Sequence, residues 1–265
     1  MILGINVYID GQLIGEELVI PDTVTAIESG AFRNCTNVKS LIIPESVTTI
    51  GIYAFKNCTS LTNITFEGNS QLEVIESGAF ENCVSLTSID IPDGTIELGY
   101  EAFDGCSSLK TVKVPDSVLY IDRFNFDGCT SLTSIIVGEN NPKYMSIDGN
   151  LYSKDGKTLI KYAAGKKDAT FEIPEGVTTI GYKSFGDCQY ISTIIIPDSV
   201  TIIENYAFYG CVRLEYNVYE NGNYLGNESN PYMVLVEVIS TEVTSLTINE
   251  NCKIISPMAF STFIS

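Results

Sequence analysis

The chain contains no histidine and no tryptophan. Without histidine the commonest general base and metal-binding ring is gone. Neither a Ser-His-Asp nor a Cys-His nucleophilic site can be built. Basic side chains are also scarce: 15 Lys and Arg stand against 33 Asp and Glu, a formal charge of −18. That balance argues against a nucleic-acid partner, which needs a basic footprint, and against docking on anionic lipid. No apolar run approaches the ~20 residues of a membrane span, so no membrane insertion is expected. Walker and dinucleotide glycine loops are missing, as is an EF-hand pattern. No catalytic residue, metal ligand set or cofactor is predicted. Some of the many carboxylates must lie near one another, which leaves a polysaccharide-cleaving pair as a minor reading. Calcium near Asp148 or Asp155 is another, although both aspartates read more simply as turn residues.

What the chain has is a repeat. Six prolines each follow an aliphatic residue: Pro21, Pro44, Pro92, Pro115, Pro174 and Pro197. Phenylalanines recur at Phe32, Phe55, Phe80, Phe103, Phe126, Phe185, Phe208 and Phe260, in steps of 23, 25, 23, 23, 59, 23 and 52 residues. A fixed period of this size signals a solenoid of stacked units, so residues 1–265 are read as one continuous domain.

Residues 43–66 show one unit. Ile43-Pro44 ends a strand, because proline gives no ladder hydrogen bond and pushes its predecessor toward extended geometry. Val47 and Ile50 then turn inward. Gly51, with its equivalents Glu28, Glu76, Gly99, Asp122, Gly181, Glu204 and Ser256, suits the entrance to a helical turn. Ala54, Phe55, Cys58 and Leu61 lie on one helical face, and Ile64 and Phe66 share one face of a strand. The expected architecture is mostly short parallel strands with short helical turns on the opposite side.

Seven of the eight cysteines fall three residues after a repeat phenylalanine: Cys35, Cys58, Cys83, Cys106, Cys129, Cys188 and Cys211. One equivalent site per coil points every thiol the same way. That suits a buried apolar filler better than strained disulfides or a tetrahedral zinc cage.

Two interruptions break the period. Residues 138–170 carry Asp148-Gly149 and Asp155-Gly156 between alternating residues, and read as an inserted β-meander. Residues 216–240 read as an irregular insertion returning through a strand at 233–239. Asp10-Gly11 marks a hairpin within 1–17, expected as an N-terminal cap, and 241–265 reads as the last repeat or C-terminal cap.

Copies such as Ile43-Pro44-Glu45-Ser46-Val47-Thr48-Thr49-Ile50-Gly51 followed by Ala54-Phe55-Lys56-Asn57-Cys58-Thr59-Ser60-Leu61 resemble the BspA-like family of leucine-rich repeats. The resemblance covers about eight repeats, nearly the whole chain. It implies a leucine-rich repeat solenoid on a bacterial or protist secreted or surface protein, often one involved in adhesion, with any signal or anchor lying outside this chain. The third copy departs from the pattern, with Glu67-Gly68-Asn69-Ser70 replacing the proline turn. Thr95 stands at a valine position and Asn125 at an alanine position. All three are expected to be local kinks without functional meaning.

The strand side offers the most usable surface. The residue between the two inward strand positions should point outward, giving Ile42, Thr65, Asp90, Lys113, Ile136, Glu172, Ile195 and Thr247 as the candidate partner-binding face. A parallel column, Ser40, Asn63, Ser88, Thr111, Ser134, Thr170, Thr193 and Ser245, is almost all Ser/Thr. Together they read as a polar platform edged by exposed isoleucines. The tyrosines of the second interruption are a further candidate contact. The expected function is a non-enzymatic, monomeric module that binds an extracellular protein or glycan. The alternative is a structural spacer of a larger surface protein, without a ligand of its own.

Overall fold

The computed structural model describes residues 8–9, 12–13, 15–239, 245 and 247–261. The chain winds as a solenoid whose coils have three sides. On the first, strands Glu17–Val19, Ser40–Ile43 and Asn63–Phe66 form one parallel sheet, and Ser88–Asp90, Thr111–Val114 and Ser134–Val137 form another. Thr170–Glu172 and Thr193–Ile195 pair further along. On the second side, two-residue strands stack as Ala26–Ile27, Thr49–Ile50, Val74–Ile75, Glu97–Leu98 and Tyr120–Ile121.

The third side carries the phenylalanines and cysteines, and here the expected helical turn is corrected. No α-helix occurs among the described residues. The N–H groups of Ala54, Lys56 and Cys58 donate three residues back, to Gly51, Tyr53 and Phe55. The alternate N–H groups of Tyr53, Phe55 and Asn57 donate into the next coil, to the carbonyls of Ser77, Ala79 and Glu81. A helix would consume all of these donors within its own turn. The residue before each of the seven column cysteines also takes the left-handed conformation: Asn34, Asn57, Asn82, Gly105, Gly128, Asp187 and Gly210 have φ of 58–75°. Asn and Gly accept that geometry at little cost, and a right-handed helix cannot pass through it. Two of the acidic residues read as helix caps, Glu76 and Glu204, instead serve the coil before them, whereas Asp122 Oδ1 accepts the Phe124 N–H of its own coil at 2.9 Å. Glu76 Oε2 accepts the Ile52 N–H at 3.0 Å, and Glu204 Oε2 accepts that of Tyr182 at 2.8 Å.

Inside, like residues form columns. The rings of Phe32, Phe55, Phe80, Phe103 and Phe126 stack with centroids 5.3, 5.3, 5.6 and 6.2 Å apart and planes within 11°. Beside them four thiols each donate to a phenylalanine carbonyl of the previous coil: Cys58 to Phe32 (3.2 Å), Cys83 to Phe55 (3.2 Å), Cys106 to Phe80 (3.2 Å) and Cys129 to Phe103 (3.3 Å). The seven column cysteines are buried and unbridged. Burial pushes the Cys83 and Cys129 thiols up to about 12.

The first interruption is an antiparallel meander of Tyr144–Ile147, Asn150–Ser153 and Thr158–Lys161, whose last strand runs parallel to Thr179–Ile180. Asp148 and Gly149 form its first turn with φ of 49° and 73°, the twist a two-residue hairpin needs. The second interruption, expected to be irregular, is the same device. Asn217–Tyr219, Gly222–Leu225 and Val234–Val238 pair antiparallel, and the last strand runs parallel to Ile254–Ile255. Each meander supplies the missing coil. The Tyr162 N–H donates to Ser184 as Phe55 does to Ala79, so Tyr162 stands in the ring column, 5.4 Å from Phe185. Val238 takes the same place before Phe260, donating to Ala259. At the start of the chain Tyr8–Ile9 pairs antiparallel with Gln12–Leu13. Residues 1–7, 10–11 and 14 of the N-terminal cap segment, residues 240–244, and Phe263 in the last repeat lie outside the described residues.

Two outcomes test this packing. Phe103→Ala removes a fully buried ring between two stacked neighbours. It should lower unfolding stability by ~3–5 kcal/mol in a denaturant titration; an unchanged midpoint contradicts the column. A thiol reagent added to folded protein should label Cys252, which is half-buried, well before the other seven. Equal labelling of all eight would mean the column is open.

A cleft on the strand side

Ahead of the first meander, the strand ladder of the first side is broken at one place. Asn63–Phe66 pairs with Ser40–Ile43 and Ser88–Asp90 pairs with Thr111–Val114, but Asn63–Phe66 and Ser88–Asp90 belong to different sheets. The second side runs across the same level unbroken, with Thr49–Ile50 on Val74–Ile75 and Val74–Ile75 on Glu97–Leu98. The coils therefore splay on one side only. The cause lies in the third copy, where Phe55 and Phe80 are 25 residues apart and Glu67-Gly68-Asn69-Ser70 replaces the proline turn. Gly68 adopts φ of 54° and Asn69 N–H reaches back to Glu45 Oε2 at 3.4 Å, which draws this corner away from the following coil.

The result is a cleft of about 700 Å³. Ile64 and Phe66, inward residues that are only half-buried here, line it. Thr65, Asp90, Lys113 and Ile136 line it as well. Lys113 lies between the other two, in register with Asp90 on one strand and Ile136 on the next. Its Nζ meets Asp90 Oδ2 at 2.6 Å, and both side chains are more than half exposed. An exposed pair of this kind contributes ~0–1 kcal/mol, so a ligand can displace it cheaply. Ile136 is 44% exposed, a large apolar side chain facing water.

The structure thus gathers four of the eight candidate face residues and separates the rest. Ile42 lies in register with Thr65 but is half-buried. Glu172 is exposed, and its register partner Ile195 is half-buried. Both lie past the first meander, as does exposed Thr247. The expected row of exposed isoleucines is therefore reduced to Ile136. The first meander interrupts the face after Ser134–Val137, and the second abuts Ile195 through a bridge to Gly226. Ile64 and Phe66 went unrecognised as candidates because their alternation marks them as core. The 25-residue step was the available signal.

Charge on the third side is arranged differently. Asp127, 4% exposed, accepts Lys161 Nζ at 2.7 Å and Lys183 Nζ at 2.9 Å, tying the coil of Phe126 to the meander. Among the described residues no group of three His, Cys, Asp or Glu side chains is placed to hold a metal ion. Burial pushes the Asp104 carboxyl up to about 6, with repulsion from Glu101, Asp127 and Glu81 adding to it. A carboxyl raised in the folded state opposes folding once ionised. Its contribution should therefore become less unfavourable as pH falls from 7 through 6 toward 4. Asp104→Asn should raise the melting midpoint relative to the parent at pH 7 and leave it unchanged near pH 4. A difference independent of pH would show that ionisation at Asp104 is not what costs stability.

The sequence matches the BspA type leucine rich repeat region in six copies, over residues 12–72, 68–154 and 162–232. Among solved structures it is similar to a leucine-rich repeat protein from Eubacterium ventriosum, at 24% identity and a TM-score of 0.68, covering 91% of this chain and 56% of that one. It is also similar to the pneumococcal vaccine antigen PcpA, at 23% identity and a TM-score of 0.65, covering 93% of this chain and 69% of that one. A third is the T. pallidum leucine rich repeat protein, at 26% identity and a TM-score of 0.50, covering 76% of this chain and 78% of that one. No functionally curated protein matches. The ring column, the broken parallel ladder and the six matched copies describe one architecture, and the chain belongs to the BspA-type leucine-rich repeat family.

Proposed function

We propose that this protein is a non-enzymatic extracellular binding module, and that the cleft beside Asn63–Phe66 takes an extended polypeptide segment of its partner. Leucine-rich repeat domains are protein-interaction modules, and members of this family are often surface proteins. The observation that carries the reading is the broken ladder. Two strand edges face each other without mutual hydrogen bonds, next to half-buried Ile64 and Phe66 and a polar rim of Thr65, Asp90 and Lys113. An extended chain matches such a surface because its alternate side chains reach the apolar floor while its backbone meets the polar rim. Ile136 and Lys113 flank the entrance and set which partner fits. A spacer without a ligand would have no use for an opened core on one side only. The neighbouring Ser/Thr column alone would serve it.

The paired substitution Thr65→Lys with Ile136→Lys, both at exposed positions, tests the site. Partners would first be sought by screening the purified protein against extracellular proteins and glycans. For a protein ligand so found, the variant should lose at least tenfold in affinity, about 1.4 kcal/mol, with its melting midpoint kept. Full binding by the variant moves the site elsewhere. A glycan as the only ligand overturns the polypeptide reading, and a screen with no ligand favours the spacer.

A further inference from the structure

A second site lies on the third side, near the C-terminal end of the described chain. Val238 occupies the ring-column position between Phe208 and Phe260, and a valine fills less space than the phenylalanine or tyrosine found there in other coils. Val236 and Glu237, the two residues before it, line a pocket of about 280 Å³ that Val238 itself does not line. Tyr206, Phe208, Tyr209 and Tyr216 wall it, and Glu237 brings a carboxylate to the same space. Tyr206 and Tyr209 meet edge to face at 6.0 Å and 87°, so the two rings form a corner rather than a flat stack. Glu237 receives one long hydrogen bond, from the Asn223 amide at 3.4 Å, which leaves acceptor capacity on its carboxylate.

The chain shows elsewhere what its tyrosines hold. It has three arginines, and every guanidinium lies over an aromatic ring. Arg33 is 5.8 Å from the Tyr53 centroid, Arg213 is 5.9 Å from Tyr190, and Arg123 is 4.5 Å from Tyr182 and 5.0 Å from Phe124. The face of a tyrosine ring carries negative charge density that attracts a cation. Lys183 already lies over Tyr209, at 5.3 Å.

We propose that the pocket walled by Tyr206, Tyr209 and Tyr216 binds a guanidinium group, the arginine side chain of a partner polypeptide, with Glu237 as its counter-charge. Guanidinium suits the site better than ammonium. It is planar, more weakly hydrated, stacks on rings and matches a carboxylate with two parallel N–H donors. The charge of −18 draws cations toward the surface, and the ring corner selects among them. This site is separate from the strand-side cleft and shares no residue with it.

N-acetyl-arginine amide, titrated into the full chain and followed by the NMR signals of the tyrosine rings, tests the assignment. Shifts confined to Tyr206, Tyr209 and Tyr216 are expected, with none from the neutral citrulline amide. Glu237→Gln should weaken binding about tenfold, and Tyr209→Ala about threefold. Tyr209→Phe keeps the ring and should keep the affinity. Melting midpoints near that of the parent exclude a folding defect. The proposal is overturned if arginine amide moves none of these signals, if Glu237→Gln binds as well as the parent, or if citrulline amide binds equally.

Discussion

Everything in this molecule depends on backbone hydrogen bonds made in register from one coil to the next. On the third side alternate donors leave the coil, as from Phe55 to Ala79 and from Phe80 to Ala102, both at 2.8 Å. The first two sides do the same through parallel strands. Once each coil is fixed at one step from its neighbour, identical residues must lie above one another. The stacked rings and the thiol-to-carbonyl bonds are consequences of that translation. Most contacts join neighbouring coils, so stability is close to a sum over adjacent pairs; Lys183 on Asp127 and Tyr182 on Phe124 reach past the first meander.

The strand-side cleft is a place where the translation is relaxed. In the third copy two added residues lengthen a corner, and one ladder opens while the opposite one stays closed. At Val238 the step is kept but the column loses a ring. Other departures are absorbed without opening anything. Asn125, at an alanine position, donates its amide to the Leu98 and Gly99 carbonyls at 2.9 and 2.7 Å. Thr95, at a valine position, donates to Leu72 at 3.1 Å. A polar residue in the column is tolerated when a neighbouring carbonyl can take its hydrogen. Added length cannot be accommodated in that way.

The ring column was legible because a period is a translation, and the spacing from Phe32 to Phe126 states it directly. The third side was misread because Ala54, Phe55, Cys58 and Leu61 fit a helical face and a run of tight turns equally well. The letters that separate the two are the Asn, Gly or Asp before each cysteine, which need left-handed geometry. The second meander turns one residue ahead of its Asn221-Gly222 hairpin signal, with Glu220 at φ of 49°, so the dipeptide and the turn do not coincide. Of the site, the outward positions Thr65, Asp90, Lys113 and Ile136 follow from strand alternation alone. The opening beneath them does not, because whether Ile64 and Phe66 are covered is decided by the next coil and not by their own strand.

The two meanders have a consequence for how the chain finds its native order. Near-identical coils are interchangeable, and a growing stack could dock a coil one step too early or too late with little immediate penalty. A meander has a different length and hand of pairing, and its last strand accepts one follower: Thr158–Lys161 takes Thr179–Ile180, and Val234–Val238 takes Ile254–Ile255. A misplaced coil would leave such a strand facing the wrong neighbour. The interruptions thus act as index marks along an otherwise monotonous staircase, so that a slip is detected where the pattern changes.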